Sequence, residues 1–207
     1  MPLVRKPGNT SPPATPDVRV VLQALASPHS DERWSAARAA AALEGADVVL
    51  SQALRSEKDP RVREAMLTTL ARIGTPIALE SLLSLLRSDS AALRTGALDA
   101  LRMVSTLADI PAQLLRDADP DVRILSCEIA RSLPALQASH LLCALLAEEQ
   151  NANVCAAAID VLAEVGGPEA LGPLADCAER FRETPFLLFA IRAVSDRINV
   201  KSASTRD

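Results

Sequence analysis

The sequence is poor in aromatic residues and in glycine, and both shortages narrow the choice of fold. Of its 207 residues only 2% are aromatic, with one Trp, three Phe and no Tyr, and seven are glycine. Yet 49% are hydrophobic, so the apolar residues are mainly Ala, Leu, Val and Ile. This composition is ample for a core and favours helices packed on helices over a sheet protein.

Long apolar runs and histidines are equally scarce. No run approaches the roughly 20 residues of a spanning helix, and the N-terminus "MPLVRKPGNTSPPATP" has no apolar signal-peptide core. We therefore expect a cytoplasmic protein that does not bind membranes. His29 and His140 stand far apart, and the four cysteines contain no CxxC pair, so neither a metal nor a cofactor is expected. The cysteines are predicted to be buried, reduced thiols.

The body of the chain has no excess of basic charge. The net charge is −4, although Arg5 and Lys6 add +2 near the N-terminus and residues 199–207 add +1, which leaves −7 on the remainder. Nucleic-acid binding relies on clustered Lys and Arg to neutralise phosphates. We therefore expect no nucleic-acid partner.

A repeated motif is what the sequence does offer. The stretch "DPRVREAMLTTLARIG" at residues 59–74 recurs in part as "DPDVRILSCEIARSLP" at 119–134. Aligning on the arginine gives six anchors spaced 29 to 32 residues apart: Arg33, Arg63, Arg94, Arg123, Cys155 and Leu187. Apolar or small residues recur four and seven positions after each anchor, which marks one face of an α-helix. They are Ala37, Leu67, Leu98, Cys127, Ile159 and Ile191, then Ala40, Leu70, Leu101, Ala130, Leu162 and Val194.

Further helical segments lie between these helices, often joined at Gly or Pro, as at Gly74-Thr75-Pro76. The pattern predicts twelve helices in about six antiparallel pairs. No pair could bury its apolar face alone, so the predicted fold is all-α, an α-α superhelix built as a solenoid. We place the solenoid at residues 17–198, between a disordered Pro-rich arm at 1–16 and a C-terminal tail at 199–207.

The motif resembles short HEAT repeats of the phycobilisome-lyase type. The resemblance rests on Asp-Pro-x-Val-Arg at 59–63 and 119–123, on the Ala/Leu stripe and on Ile73-Gly74, and it implies a HEAT-like solenoid. Together with Asp59 and Asp119, four residues before their arginines, it also predicts structural pairing of the arginines between repeats, not a basic ladder. Because the last two anchors lack arginine, either the stack terminates differently there or that end is reserved for a partner.

In solenoids of this type the second helix of each pair lines the concave face. Positions one, five and nine after each anchor would project toward it, and we predict a partner-binding groove there. Its acidic middle suits a protein partner with a basic segment, and its apolar residues are candidate hot spots. The alternative is an ordinary solvated face, with the Trp under the N-terminal cap. The predicted groove residues are Trp34, Arg38, Glu64, Arg72, Asp99, Ile124, Glu128, Asp160, Glu164, Leu188 and Arg192.

The C-terminal segment "PFLLFAIRAV" is apolar on too much of its circumference for a terminal helix facing water. One interpretation is that the tail folds back over it or that it packs tightly on the fifth repeat. The other is a homodimer or partner contact through Leu188 and Phe189 at this end of the chain.

These features predict a non-catalytic adaptor or regulatory scaffold that holds a protein partner in the concave groove. The sequence has no phosphate-binding Gly-rich loop and no evident nucleophile with its base, so we do not expect an enzyme. One alternative, implied only by the resemblance, is a bilin lyase-like chromophore-handling subunit. Another is an enzyme using Asp99, Glu128 and Asp160, although stacking would place successive helices on the order of 10 Å apart.

Overall fold

The computed structural model describes residues 18–104 and 110–204, so the predicted arm at 1–16 lies outside it. Within these ranges there is no β-strand, and the all-α prediction is confirmed. Twelve α-helices are present there, with 3₁₀ turns at Ala40–Ala42 and Pro168–Ala170. The helices are α1 Val18–Leu25, α2 Ser30–Ala39, α3 Ala46–Leu54, α4 Pro60–Ile73, α5 Pro76–Leu85, α6 Ala91–Arg102, α7 Ile110–Leu114, α8 Pro120–Ala130, α9 Ala135–Glu148, α10 Ala152–Val165, α11 Leu171–Arg180 and α12 Pro185–Ser204.

The turn residues of the repeat set the helix ends. The Asp59 side chain accepts hydrogen bonds from the N–H groups of Arg61 and Val62 at the start of α4, where Pro60 occupies the first turn. Gly74 ends the same helix with φ +62, a left-handed conformation that favours glycine. Asp119 caps α8 and Asn151 caps α10 in the same way. The predicted joint at Gly74-Thr75-Pro76 is confirmed, since α4 ends at Ile73 and α5 begins at Pro76.

The predicted apolar stripe is also confirmed. Eleven of its twelve residues are buried, and Leu98 is half-buried. Since the second helices bury positions four and seven after each anchor, the anchor alignment is in the correct register.

The chain divides into two compact units, residues 1–78 and 79–207. In the first, α2 packs against α1 and α4, and α3 packs against α4. Leu50, Met66 and Leu70 are fully buried in its core. A polar contact also ties α3 to the start of α5, because the Thr75 hydroxyl donates to the buried Asp47 carboxylate.

In the second unit, α8 packs against α6, α7 and α10, while α12 packs against α10 and α11. Its core includes the fully buried residues Cys127, Leu142, Leu146, Cys155, Leu162 and Leu174. Helix α12 continues to Ser204, so the proposed tail boundary at residue 198 falls inside a helix. No Gly or Pro follows Ile198 to end the helix, which explains the longer extent.

A membrane-spanning helix is not found in the described ranges, where none of the helices has both the length and the hydropathy to cross a bilayer.

Candidate functional site

The anchor arginine of the first repeat is held by a buried glutamate. Arg33 donates from Nε to Glu57 Oε2 at 2.7 Å and from Nη2 to Oε1 at 2.9 Å, and its Nη1 donates to the backbone oxygens of Ser27 and Pro28. We call this bidentate pair, and its counterpart in the second unit, the Arg–Glu clamp. It joins the start of α2 to the turn before α4, and thus one repeat to the next.

Glu57 is well prepared to carry a charge in this clamp. Its side chain is only 4% exposed, yet it also accepts backbone N–H bonds from Lys58 and Asp59. The hydrogen bond from Arg33 lowers the pKa of Glu57, and this effect outweighs burial, which acts in the opposite direction.

The second unit repeats the arrangement. Arg123 donates to Glu149 at 2.7 and 3.0 Å and to the backbone oxygens of Asp117 and Ala118. Glu149 is 5% exposed and accepts N–H bonds from Gln150 and Asn151. Burial raises the pKa of Glu149, but the bonds from Arg123 and the backbone leave that pKa below its ordinary value. Both clamps therefore hold an ionised glutamate.

These contacts confirm a structural role for these two anchor arginines between repeats and correct the predicted partners. Asp59 and Asp119, predicted to pair with Arg63 and Arg123, cap helices instead. Arg123 pairs with Glu149 and Arg33 with Glu57, whereas no ion pair of Arg63 is found among the described residues. A signal for these glutamates was present in the sequence, because each lies two residues before a helix-capping residue, in "EKD" and "EQN".

Where the anchor arginine is lacking, the stack is indeed built differently. The Cys155 thiol donates to the backbone oxygen of Glu149, six residues earlier. In their own repeats, Arg94 and Arg123 donate to the backbone oxygen at the same distance along the chain. Arg180 donates to the oxygens of Leu146 and Ala147 near the end of α9. Arg197 on α12 donates to those of Leu162 and Gly166 at the end of α10. Arginines outside the anchor position thus satisfy helix-terminal carbonyls here.

Each clamp also borders a cleft. The first, about 540 Å³, is lined by α1, α3 and the Arg33–Glu57 pair. The second, about 510 Å³, is lined by α7, α9 and the Arg123–Glu149 pair. Leucine side chains and polar groups both line each cleft.

The second helices of the second unit carry most of the predicted acidic groove. We call Asp99, Glu128, Asp160 and Glu164 the acidic face. Arg131, which the sequence interpretation passed over, donates to Glu128 at 3.1 and 3.2 Å, to Asp160 at 2.7 Å and also to Glu164. One guanidinium thus meets three carboxylates, so two negative charges remain in excess.

The convergence corrects one expectation about these carboxylates. Glu128 on α8 comes together with Asp160 and Glu164 on α10, but on a guanidinium instead of on a shared proton. The hydrogen bonds that Arg131 donates to Glu128, and then to Asp160, raise the pKa of Arg131. Asp99 is exposed and makes no ion pair among the described residues. Asp160 is still 71% exposed, so the cluster is open to solvent.

The second helices of the first unit carry a different arrangement. The half-buried ring of Trp34 lies 4.7 Å from the guanidinium carbon of Arg38 and 5.6 Å from that of Arg61, both measured to the ring centroid. Arg61 also pairs with Asp31 at 3.3 Å. Two cations therefore cover part of the predicted hot-spot ring through cation–π contacts.

The remaining predicted groove residues are distributed over both units. Glu64, Arg72 and Arg192 are exposed, whereas Ile124 and Leu188 are half-buried. Ile124 and Leu188 therefore contribute partly to the packing of their own helices and offer less apolar surface than predicted.

No group of three or more His, Cys, Asp or Glu side chains within residues 18–104 and 110–204 is placed to hold a metal ion. The cysteines of these ranges are free thiols, three buried and Cys143 half-buried. Burial raises the pKa of Cys127 to about 12, which keeps that thiol protonated.

The family follows from the sequence match. The model described as HEAT repeats matches residues 18–102 and 108–183, which is more than half of the chain. This chain belongs to the HEAT-repeat family. The resemblance inferred from the Asp-Pro-x-Val-Arg motif is confirmed, and each matched segment contains one Arg–Glu clamp.

Solved structures of other helical-repeat proteins are similar in fold. A HEAT-like repeat protein from the archaeon Thermococcus onnurineus NA1 is 19% identical with a TM-score of 0.47, over 90% of both chains. The complex of CpcE and CpcF of phycocyanin lyase from Nostoc sp. PCC7120 matches at 17% identity and a TM-score of 0.41, over 95% of this chain and 100% of that one.

The Cnd3-Cnd2 condensin subcomplex of S. pombe is 19% identical with a TM-score of 0.45, over 90% of this HEAT-repeat chain and 28% of that one. A comparison with curated protein sequences finds no significant match.

Proposed function

We propose that this HEAT-repeat chain is a non-catalytic adaptor or regulatory scaffold that binds a protein partner through the acidic face of its second unit. The partner is expected to present a basic segment, as Lys or Arg side chains in a helix or an extended strand. A cytoplasmic location stays a prediction from the sequence.

The observation that carries the proposal is the Arg131 cluster. Arg131 fixes the positions of three carboxylates, Glu128, Asp160 and Glu164, while leaving two negative charges in excess. Because these side chains are already ordered, a basic segment would bind them at a smaller entropic cost than it would pay for free carboxylates. Charge complementarity would give the contact its specificity and its rate of association.

The same cluster favours binding over catalysis. A carboxylate that already accepts hydrogen bonds from a guanidinium is a weak candidate for a general base, since its oxygens are engaged and less available to a substrate proton. The exposed position of Asp160 also leaves the cluster in water, where electrostatic stabilisation of a reacting group is small.

The test is a pull-down from native lysate followed by mass spectrometry, with three forms of the chain. The first is wild type, and the second is D99N/D160N/E164Q, which removes three negative charges from the acidic face. The control is D176N/E179Q/E183Q, which removes three charges from exposed residues of α11 and the turn after it. Circular dichroism verifies that all three are folded.

We expect the same partner with wild type and the control, and its loss with the acidic-face variant. The captured protein should contain a basic segment, and its binding should weaken as salt is added. Equal capture by all three forms, or equal loss with both variants, would overturn the proposal.

A further inference from the structure

Helix α12 has a second apolar stripe on the side opposite its buried one. Leu187, Ile191, Val194 and Ile198 are buried against the second unit. Facing away from them are five exposed residues spaced three and four apart: Phe186, Phe189, Ala193, Asp196 and Val200. This spacing is a heptad seam, the pattern by which one helix packs along another.

The stripe is more apolar than a solvated helix face requires. Phe189 is 76% exposed, Val200 68% and Phe186 53%. The segment does pack on α10 of the fifth repeat through Leu187, Ile191 and Val194, but that packing leaves Phe186 and Phe189 exposed. Three large apolar groups on one face of a helix, unlike a single exposed residue, indicate a contact surface.

The charges on this face, Asp196 within the stripe and Arg192 beside it, are self-complementary. Arg192 and Asp196 are exposed, lie one helical turn apart and form no ion pair with one another or with other described residues. If a second α12 packs antiparallel with a two-fold axis at the level of Val194, Arg192 of each copy lies beside Asp196 of the other. The same axis brings Phe189 of each copy opposite Val200 of the other.

We propose that the chain forms a two-fold symmetric homodimer through the α12 stripe, with Phe189 packed on Val200 and reciprocal Arg192–Asp196 ion pairs. A two-fold axis requires one surface to complement itself, and this stripe does so in both its apolar and its charged residues. Asp196 on the seam supplies the polar residue that selects one orientation and register.

The expected affinity is moderate. A contact along a single helix buries less than the roughly 800 Å² per partner of a standard interface. We therefore expect a dissociation constant on the order of micromolar to tens of micromolar. The dimer does not depend on the acidic face, so the two proposals can fail separately.

The experiment is sedimentation equilibrium of the full chain from about 1 to about 500 µM, a range that brackets this affinity. Wild type should shift from the monomer mass of 21.9 kDa toward twice that value. F189E should remain monomeric because it places a charge opposite Val200. L136E, which alters another exposed apolar residue on α9, should dimerise like wild type.

The charge swap tests the geometry itself. R192D and D196R should each weaken dimerisation at least tenfold, since each puts like charges side by side, and the double variant R192D/D196R should restore it. Thermal melts followed by circular dichroism establish that the variants are folded. A wild type that stays monomeric throughout the range would overturn the proposal. So would dimerisation of F189E as strong as that of L136E, or a double variant no better than the single ones.

Discussion

The two units of the chain use the same framework contact and carry different surfaces. Arg33–Glu57 in the first unit and Arg123–Glu149 in the second have the same bidentate geometry. In each, the arginine also donates to the backbone oxygens six and five residues earlier, and the glutamate side chain is buried. Their second helices differ. The first unit stacks two arginines on Trp34, while the second gathers three carboxylates around Arg131.

This contrast separates what builds the repeats from what distinguishes them. The clamp satisfies a buried charge together with N–H groups and carbonyls of the turns, so a change of either partner leaves several groups unsatisfied. The faces lie in solvent, and side chains there can vary without loss of packing. We therefore assign stability to the clamps and recognition to the faces.

The largest expected effect comes from breaking a clamp. R123M leaves a buried glutamate without its cation and should lower the free energy of unfolding by about 3 kcal/mol, and R33M should also lower it. Urea denaturation followed by circular dichroism measures both, and the fluorescence of Trp34, the sole Trp of the chain, reports on the first unit.

The matched control for this prediction is R123M/E149Q. It should lower the free energy of unfolding less than R123M alone does, because the neutral amide removes the buried charge and can still accept the backbone N–H bonds. If R33M and R123M cost very different amounts, the two clamps are not equivalent. If both cost under about 0.5 kcal/mol, typical of a surface change, the assignment of stability to the clamps is wrong.

The next effect is the response to acid. The pKa values of Glu57 and Glu149 are lowered in the folded chain. Both residues therefore favour folding at pH values above the pKa of the unfolded carboxyl group, about 4.3. Their contribution is lost as the pH falls from there through the folded values. The urea midpoint of wild type should therefore drop more steeply below about pH 4.5 than that of E149Q. Parallel curves for the two proteins would contradict an ionised clamp.

A smaller effect is expected from the Arg131 cluster. R131L leaves Glu128, Asp160 and Glu164 to repel one another and should cost about 1 kcal/mol at low salt, less as salt is added. R102L is the control, since the one side-chain contact found for Arg102 among the described residues is a 3.3 Å hydrogen bond that it donates to Ser132. Urea titrations at two salt concentrations measure both. If R131L lowers the free energy of unfolding no more than R102L does, Arg131 does not offset the repulsion among the three carboxylates.

The smallest effect concerns the Trp34 ring. R38A removes the nearer cation and should cost about 0.5 to 1 kcal/mol while changing the emission of Trp34. R72A removes an exposed arginine of the same unit for which no ring contact is found, and it should leave the emission unchanged. An unchanged spectrum in R38A would indicate that the ring and the guanidinium do not interact in solution.

The periodic features were predictable from the sequence, and the contacts between repeats largely were not. The stripe from Ala37 to Val194 follows from helix geometry, which repeats every 3.6 residues. Glu57 and Glu149, by contrast, lie 24 and 26 residues after their arginines, in turns whose position depends on how the helices stack. The capping pattern in "EKD" and "EQN" was the only local sign of them.

Arg131 was missed for a simpler reason. It lies eight residues after its anchor, between the positions chosen as groove residues, although it stands three residues after Glu128 and so faces it on the helix. Its bonds to Asp160 and Glu164 cross to α10, the second helix of the next pair, and require the packing of α8 on α10. The apolar excess of α12 was visible in the sequence, whereas its division into a buried and an exposed stripe came from the structure.

The most direct test of the account is zero-length cross-linking of carboxylates to lysines, applied to the captured complex and read by mass spectrometry. We predict links from Asp99, Asp160 or Glu164 to lysines within one basic segment of the partner. Links found instead at Asp176, Glu179 or Glu183, with none on the acidic face, would contradict it and move the partner to the first helix of the last pair.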